Sequence, residues 1–374
     1  MSISHGSQFK MIGACLLSLT LLGCSGETPK AGPGAAGGGG TGKLKQIILL
    51  TNVVDPFWDT CEAGAYAAEK ELGLEGKGYK LVFVQNADSD ADKGQLDKLK
   101  QYNQRSDVAA VGISVFTPDN GAVAREMKKL RDKGVKVITF DGDTSRDKYR
   151  DSRFAYLGTD NIVGGKELGR AAKVIARPDT KYTFFVGNTG AANAVARMDG
   201  FVEGMDGTGE QIERLADETK KEKARKNVEG ALDRNSDLNM LVGIWAYNTP
   251  QIVQVVRDRN LREKVRVICF DADVASINAM EKGDVDVMIV QNPYQMGYES
   301  VKLLLAMAEG DQATVDQYYP DYAQEGNKDL FRTELRVVVP DGSPITADLF
   351  EEDTVFMTIE EFRAWLDERS LKNS

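Results

Sequence analysis

The sequence predicts an α/β protein of two similar, doubly wound parallel-sheet lobes joined by three crossing strands. Three observations predict it. The first is a repeat: Val137-Ile138-Thr139-Phe140 runs into Asp141-Gly142-Asp143, and about 130 residues later Val267-Ile268-Cys269-Phe270 runs into Asp271-Ala272-Asp273. The match continues upstream, where Ser106-Asp107 answers to Ser236-Asp237 and Val111-Gly112-Ile113 to Val242-Gly243-Ile244. The second is order: apolar runs alternate with helical patterns, which gives parallel sheets with right-handed crossovers. The third is a length of 374 residues, the usual size of two domains. Each repeat ends a buried strand in an aspartate at its carboxyl end, where open parallel sheets hold ligands.

Residues 1–10 carry one Lys and no acid, and Met11 to Leu22 is apolar but too short to span a membrane. Residues 1–23 therefore read as a signal peptide. Leu21-Leu22-Gly23-Cys24 resembles the lipobox of bacterial lipoproteins. That resemblance implies cleavage before Cys24 and a lipid on its sulfur. Residues 24–43 contain almost nothing to bury and read as a Gly-rich tether.

Gln46 to Thr51 suits a strand buried on both faces. Pro56 suits a helix start, and Trp58 to Leu72 reads as a helix whose Ala63, Gly64, Ala67 and Ala68 permit close packing. Adjacent Phe57 and Trp58 do not both point into a core from one first turn, so at least one is expected to face a crevice. Strands follow at Tyr79 to Gln85, Val108 to Ile113 and Val135 to Phe140, with helices at Asp88 to Asn103 and Asn120 to Lys133. Asp143 to Arg153 is charged and irregular. The chain then crosses into the second lobe near Tyr156 to Asn161, with Asn161 as the expected cap of a helix reaching Ile175.

The second lobe repeats the plan. Strands are expected at Tyr182 to Gly187, Ile212 to Leu215, Met240 to Ile244, Val265 to Phe270 and Val285 to Val290, with helices between them. Met296 to Glu309 reads as a helix of the first lobe, residues 310–332 as irregular, and Leu335 to Val339 as a third crossing strand. The expected boundaries are 44–158 plus 292–334 for the first lobe and 159–291 plus 335–345 for the second. Residues 346–374 read as an acidic C-terminal extension with a helix from Ile359 to Leu371.

Composition narrows the chemistry. A net charge of −10 argues against nucleic acid, which needs clustered Lys and Arg. The single histidine, His5, lies in the leader, which removes Ser-His-Asp and Cys-His triads and histidine-bound zinc from consideration. No CxxC or GxxxxGK[ST] is present, and the two GxGxxG matches, at 32–37 and 37–42, fall in the Gly-rich tether with no strand before them, so no metal knot, cofactor or nucleotide is expected. Cys61 and Cys269 read as buried thiols rather than a disulfide.

The motifs, in their order and spacing, are Asp55-Pro56-Phe57-Trp58, Phe140-Asp141, Gly158-Thr159-Asp160-Asn161, Arg197-Met198-Asp199-Gly200-Phe201, Tyr247-Asn248, Phe270-Asp271 and Gln291-Asn292-Pro293-Tyr294. Over roughly residues 44–340 the chain resembles the bacterial sugar-binding proteins of ABC importers, the ribose-binding-protein-like group with the type I periplasmic binding protein fold. The resemblance implies lobes that close over a sugar by hinge motion. It implies ligand-binding residues at Asp55, Phe57, Trp58, Ser114 or a neighbour, and Asp141 in the first lobe. In the second it implies Arg197, Asn248 and Asp271, with Gln291 at the last crossing. The chain departs from the ribose binder in having Asp55 for an Asn, Gly142 then Asp143 where an Arg follows the strand-end acid, and no aromatic near Glu218. Which sugar binds stays open.

These residue types suit a polyhydroxylated guest. Aromatic faces cover its C–H patches, carboxylates accept pairs of hydroxyl hydrogens, and a guanidinium donates to ring or hydroxyl oxygens. The blander readings are a helix-capping role for Asp141 and Asp271, a surface ion pair for Arg197, core positions for Phe140 and Phe270, solvation for Asp143 and Asp273, and hinge or cap roles for Asp160 and Asn161. The expected function is a monomeric, lipid-anchored receptor on the periplasmic or cell-surface side of a bacterial membrane. It would bind a monosaccharide or related polyol and deliver it to an ABC transporter permease. The alternatives are a receptor presenting its ligand to a sensor kinase or chemoreceptor, and, further off, a glycoside-processing enzyme using Asp141 and Asp271.

Overall fold

The computed structural model describes residues 43–374. The expected signal peptide, Cys24 and the tether up to residue 42 lie outside the described residues. The first lobe opens with β1 (Lys45–Leu50), α1 (Phe57–Leu72), β2 (Tyr79–Val84), α2 (Ala91–Asn103), β3 (Val108–Ile113), α3 (Gly121–Asp132), β4 (Lys136–Phe140) and β5 (Tyr156–Gly158). The chain then enters the second lobe with α4 (Asn161–Ile175), β6 (Lys181–Val186), α5 (Ala192–Met205), β7 (Glu210–Ala216) and α6 (Lys221–Arg234). That lobe continues through β8 (Met240–Gly243), α7 (Asn248–Asp258), β9 (Arg266–Phe270), α8 (Val274–Glu281) and β10 (Val287–Val290). It returns to the first lobe for α9 (Pro293–Glu309), α10 (Gln312–Tyr318) and β11 (Leu330–Arg332), and crosses a third time into β12 (Leu335–Val339), β13 (Thr354–Thr358) and α11 (Ile359–Glu368).

The six-stranded sheet runs β11-β5-β4-β3-β1-β2 and the seven-stranded sheet β13-β12-β10-β9-β8-β6-β7. Each lobe's first five strands therefore stand in the same doubly wound order, second-first-third-fourth-fifth. All pairings are parallel except that of β10 with β12. The strands are apolar because both faces are covered: in β1 every residue from Gln46 to Leu50 is buried.

Two glycine-mediated helix contacts set the frame of the cleft. A Cβ on Gly64 of α1 would stand 1.9 Å from the Tyr294 carbonyl oxygen of α9. A Cβ on Gly165 of α4 would stand 2.3 Å from the Arg197 carbonyl of α5. Only glycine permits these approaches, and the second places Arg197 beside Asn161.

Several expectations are corrected. Asp160, not Asn161, caps α4, its carboxylate accepting from the Val163 amide. Asp143 is not solvated: Arg153, fully buried, donates to both of its oxygens at 2.9 and 2.7 Å. Residues 310–332 are not all irregular, since they hold α10 and β11. Asp329, also fully buried, gathers Arg146, Arg150 and Arg153, which stitches this segment to residues 143–153. Residues 346–374 are not set apart. β13 pairs with β12, and Ile359, Phe362 and Leu366 of α11 pack among the second lobe's core side chains, because the segment carries an apolar face its acidic composition conceals. Cys61 and Cys269 are buried and unpaired, as expected.

Candidate functional site

The carboxyl ends of both sheets open onto one cleft of about 1060 Å³. The duplicated acids sit there in matching backbone conformations. Asp141 has φ 56° and Asp271 φ 67°, the left-handed region that few L-residues other than Asn and Asp adopt readily.

Asp141 accepts from the Ser114 hydroxyl at 2.9 Å, and the same hydroxyl accepts from the Gly142 amide at 3.2 Å. Burial pushes the Asp141 carboxyl up to about 6; Arg197 and Ser114 pull it back, and Asp271 pushes it further up. Asp271 accepts from Gln291 Nε2 at 2.7 Å and Arg197 Nη1 at 3.4 Å. Its carboxyl is also raised by burial, opposed by Arg197 and Gln291 and assisted by Asp55. Asp55 accepts from the Phe57 amide at 2.9 Å and is raised by burial.

Arg197 is the cation between them and is 1 % exposed. Its Nε donates to Asn161 Oδ1 at 2.9 Å, its Nη1 donates to the Ile244 carbonyl at 3.1 Å, and its guanidinium lies 4.1 Å from the centre of the Phe270 ring. Phe270 is thus core, as expected, and also the platform on which the guanidinium rests.

Phe57 and Trp58 both reach the cleft, but unequally. Trp58 is buried edge-on against Phe140, with ring centres 5.7 Å apart, while Phe57 is half-buried and stands edge-on to Trp58 at 4.9 Å. Phe57 is the more exposed of the two rings.

Seven of the nine residues expected to bind ligand line the cleft: Asp55, Phe57, Trp58, Asp141, Arg197, Asp271 and Gln291. Ser114 and Asn248 do not. Both are fully buried behind it, Ser114 holding Asp141 and Asn248 donating to Asp217 Oδ2 at 2.7 Å. Val115 and Phe116 line the wall beside Ser114 instead.

Trp245 was not singled out by the sequence, and Tyr247 entered only as part of the Tyr247-Asn248 motif, with no ligand-facing role expected of it. They line the second lobe's wall just past β8, their rings against Gly187, where a Cβ would come 2.1 Å from the indole. Buried Asp217 holds them in place. It accepts from the Tyr247 hydroxyl and from Asn248, whose Oδ1 accepts from the Trp245 amide at 3.1 Å. Both rings line the same cleft as Glu218. Their signal in the sequence was position alone, immediately after an apolar strand.

The cleft can accept many hydrogen bonds and donate fewer. Gln291 Oε1 is buried without a partner among the described residues, on the side chain that donates to Asp271. Among the described residues no cluster of three or more His, Cys, Asp or Glu is arranged to hold a metal ion.

The sequence profile of the family described as "Periplasmic binding protein domain" matches residues 47–312. The chain belongs to this family. The curated relatives it matches are named as binding proteins, not as enzymes. It is 22% identical over 281 residues to the ribose import binding protein of Salmonella typhimurium, covering 73% of this chain and 87% of the relative. It is 20% identical over 265 residues to the D-allose-binding periplasmic protein of Escherichia coli, covering 69% and 82%. Among solved structures it is similar to a glucose-galactose binding protein of Geobacillus stearothermophilus, with a TM-score of 0.68, 23% identity, and coverage of 81% and 100%. It is also similar to an ABC transporter solute-binding protein of Burkholderia graminis in complex with D-arabinose, with a TM-score of 0.67, 22% identity, and coverage of 83% and 98%.

Proposed function

We propose that this protein captures a monosaccharide or related polyol between its lobes and delivers it to an ABC transporter permease. The observation that carries the reading is the shared cleft: Asp55 and Asp141 from one lobe, and Arg197 and Asp271 from the other, with Gln291 at the crossing between. Sugar hydroxyls donate to the carboxylates and Gln291 Oε1, while Arg197 donates to a ring or hydroxyl oxygen. Phe57 and the Trp245–Tyr247 wall cover the C–H faces. A hydrogen bond to a charged group nets roughly 1.5–3 kcal/mol. Micromolar affinity needs about 8 kcal/mol, so a few such bonds plus stacking suffice and leave a margin for the entropy lost on closure. The names of the relatives support the reading, since they are ribose, allose, and glucose–galactose binders.

The experiment is a thermal-shift screen of pentoses, hexoses and polyols. A true ligand at one hundred times its dissociation constant stabilises by about 2.7 kcal/mol. A panel in which no member raises the melting temperature removes the sugar reading.

The proposal includes anchoring through a lipid on Cys24, supported by the short apolar stretch before Gly23-Cys24 and the Gly-rich segment after it. Cys24→Ser is expected to move the full-length protein from the membrane fraction to the soluble fraction when it is expressed in a bacterium. Equal membrane retention of both forms would sink the anchor.

A further inference from the structure

Residues 346–374 bear on the hinge. The segment is rooted in the second lobe by β13 and by the apolar face of α11. Trp365 of α11 lies between two guanidinium groups, Arg336 at 3.8 Å and Arg369 at 4.6 Å from the ring centre. Arg336 belongs to β12, just past the third crossing, so α11 packs on the root of that crossing.

From there the segment reaches the first lobe at two places. Arg332, the last residue of β11, donates to Glu351 Oε2 at 2.9 Å and to Asp353 Oδ2 at 3.0 Å, and its guanidinium also stands 3.7 Å from Asp160 at the first crossing. At the other end the Asn373 carbonyl accepts from the Thr60 hydroxyl of α1 at 3.0 Å. Thr60 is buried and lies two residues beyond Trp58 of the cleft.

Ser374, also buried, exchanges backbone hydrogen bonds with Ala272: its carbonyl accepts from the Ala272 amide at 3.0 Å, and its amide donates to the Ala272 carbonyl at 3.3 Å. Its hydroxyl donates to the Gln291 carbonyl at 2.9 Å. Ala272 follows the cleft acid Asp271, and Gln291 is the cleft residue at the second crossing. One segment thus touches both lobes and the second and third crossings, and reaches the first through Arg332.

We infer that residues 346–374 form a strap across the hinge, a noncovalent fourth link that holds the lobes in the arrangement seen here. The inference rests on the reading of the cleft as one that works by hinge motion. Opening the lobes moves α1 and β11 relative to β12 and α11, so the Thr60 and Arg332 ties must break or re-form. Neither tie is needed to fold a lobe. Among the described residues the Thr60 hydroxyl bonds only to Asn373, and Arg332 is partly exposed at the end of a three-residue strand. The acids Glu351 and Asp353 gain a role as the strap's grip on Arg332.

Hydrogen exchange of the unliganded full chain tests this, comparing wild type with the double variant Thr60→Val, Arg332→Gln. Amides around all three crossings, near residues 159–162, 291–295 and 333–335, are expected to exchange at least threefold faster in the variant. Those of β13 and α11 are expected to stay protected. Thr60→Ser is expected to keep wild-type exchange, because it keeps the donor. Faster exchange confined to residues 370–374 and the first turn of α1, with the crossings unchanged, would overturn the strap. If the double variant does not fold, Arg332→Gln alone is expected to speed exchange at the first and third crossings, and unchanged exchange there would overturn the strap equally. The measurement uses no sugar, so its failure is separate from failure of the ligand screen.

Discussion

Replacing Asp271 with Asn is expected to weaken binding of the sugar found in the screen by tenfold or more and to lower the melting temperature only modestly, since relief of a buried charge partly offsets the lost ion pair with Arg197. The reason lies in what the carboxylate does when the cleft is empty. It is buried and its carboxyl is raised, so the ionised form is uncomfortable in the unliganded protein. Its value is realised when sugar hydroxyls donate to it, which an amide does with one acceptor oxygen where the carboxylate has two. Tenfold corresponds to about 1.4 kcal/mol, less than one charge-assisted hydrogen bond contributes. Asn is the better probe than Ala because residue 271 has φ 67°, and Asn, like Asp, accepts the left-handed conformation at little cost. An Ala variant mixes lost contact with backbone strain. Isothermal titration and a melting curve on the same samples decide the matter: undiminished affinity takes Asp271 out of the site.

The fold was legible because buried parallel strands announce themselves. Runs such as Gln46 to Leu50 have water on neither face, so every position is constrained. The duplicated acid was legible because both copies need the same left-handed turn at the same strand end. Ser114 and Asn248 were misplaced for a related reason. Sequence locates a residue at a strand end but not the side of the turn it faces, and both look inward, supporting Asp141 and Asp217. The aromatic wall of Trp245 and Tyr247 was not foreseen, although Tyr247-Asn248 was read as a motif, because it depends on Gly187 and Asp217, which lie far off in the chain. The Asp143–Arg153–Asp329 network joins segments about 180 residues apart, a distance over which periodicity carries no signal. The strap was hidden by composition: β13 and α11 each present one apolar stripe among many acids, and only packing against β12 shows which side is inside.

Arg197→Met should be the most damaging single change in the cleft, abolishing measurable sugar binding and destabilising the protein by about 3–5 kcal/mol near pH 8, the usual cost of stripping a buried charge of its partner. Met fills much of the volume over Phe270, so the lost charge dominates. Without the guanidinium, Asp141 and Asp271 keep their burial and their mutual repulsion but lose the cation that lowers both. The pH dependence has a definite sign. A carboxyl whose folded pKa lies above its unfolded value binds its proton more tightly when folded. Its contribution is fully present below the unfolded pKa and is lost as pH rises through the folded one. For Asp141 in the wild type that window runs from the ordinary 3.8 to about 6. Removing Arg197 moves the upper edge higher for both aspartates, so the variant loses further stability at pH values where the wild type is already flat. Each unit of that upward movement is worth about 1.4 kcal/mol. Urea unfolding of both proteins at pH 5 and pH 8 reads it directly. The variant's deficit is expected to be larger at pH 8 than at pH 5 by at least that amount. Equal deficits at the two pH values would mean that Arg197 supports the fold by packing alone and does not balance the charge of the cleft.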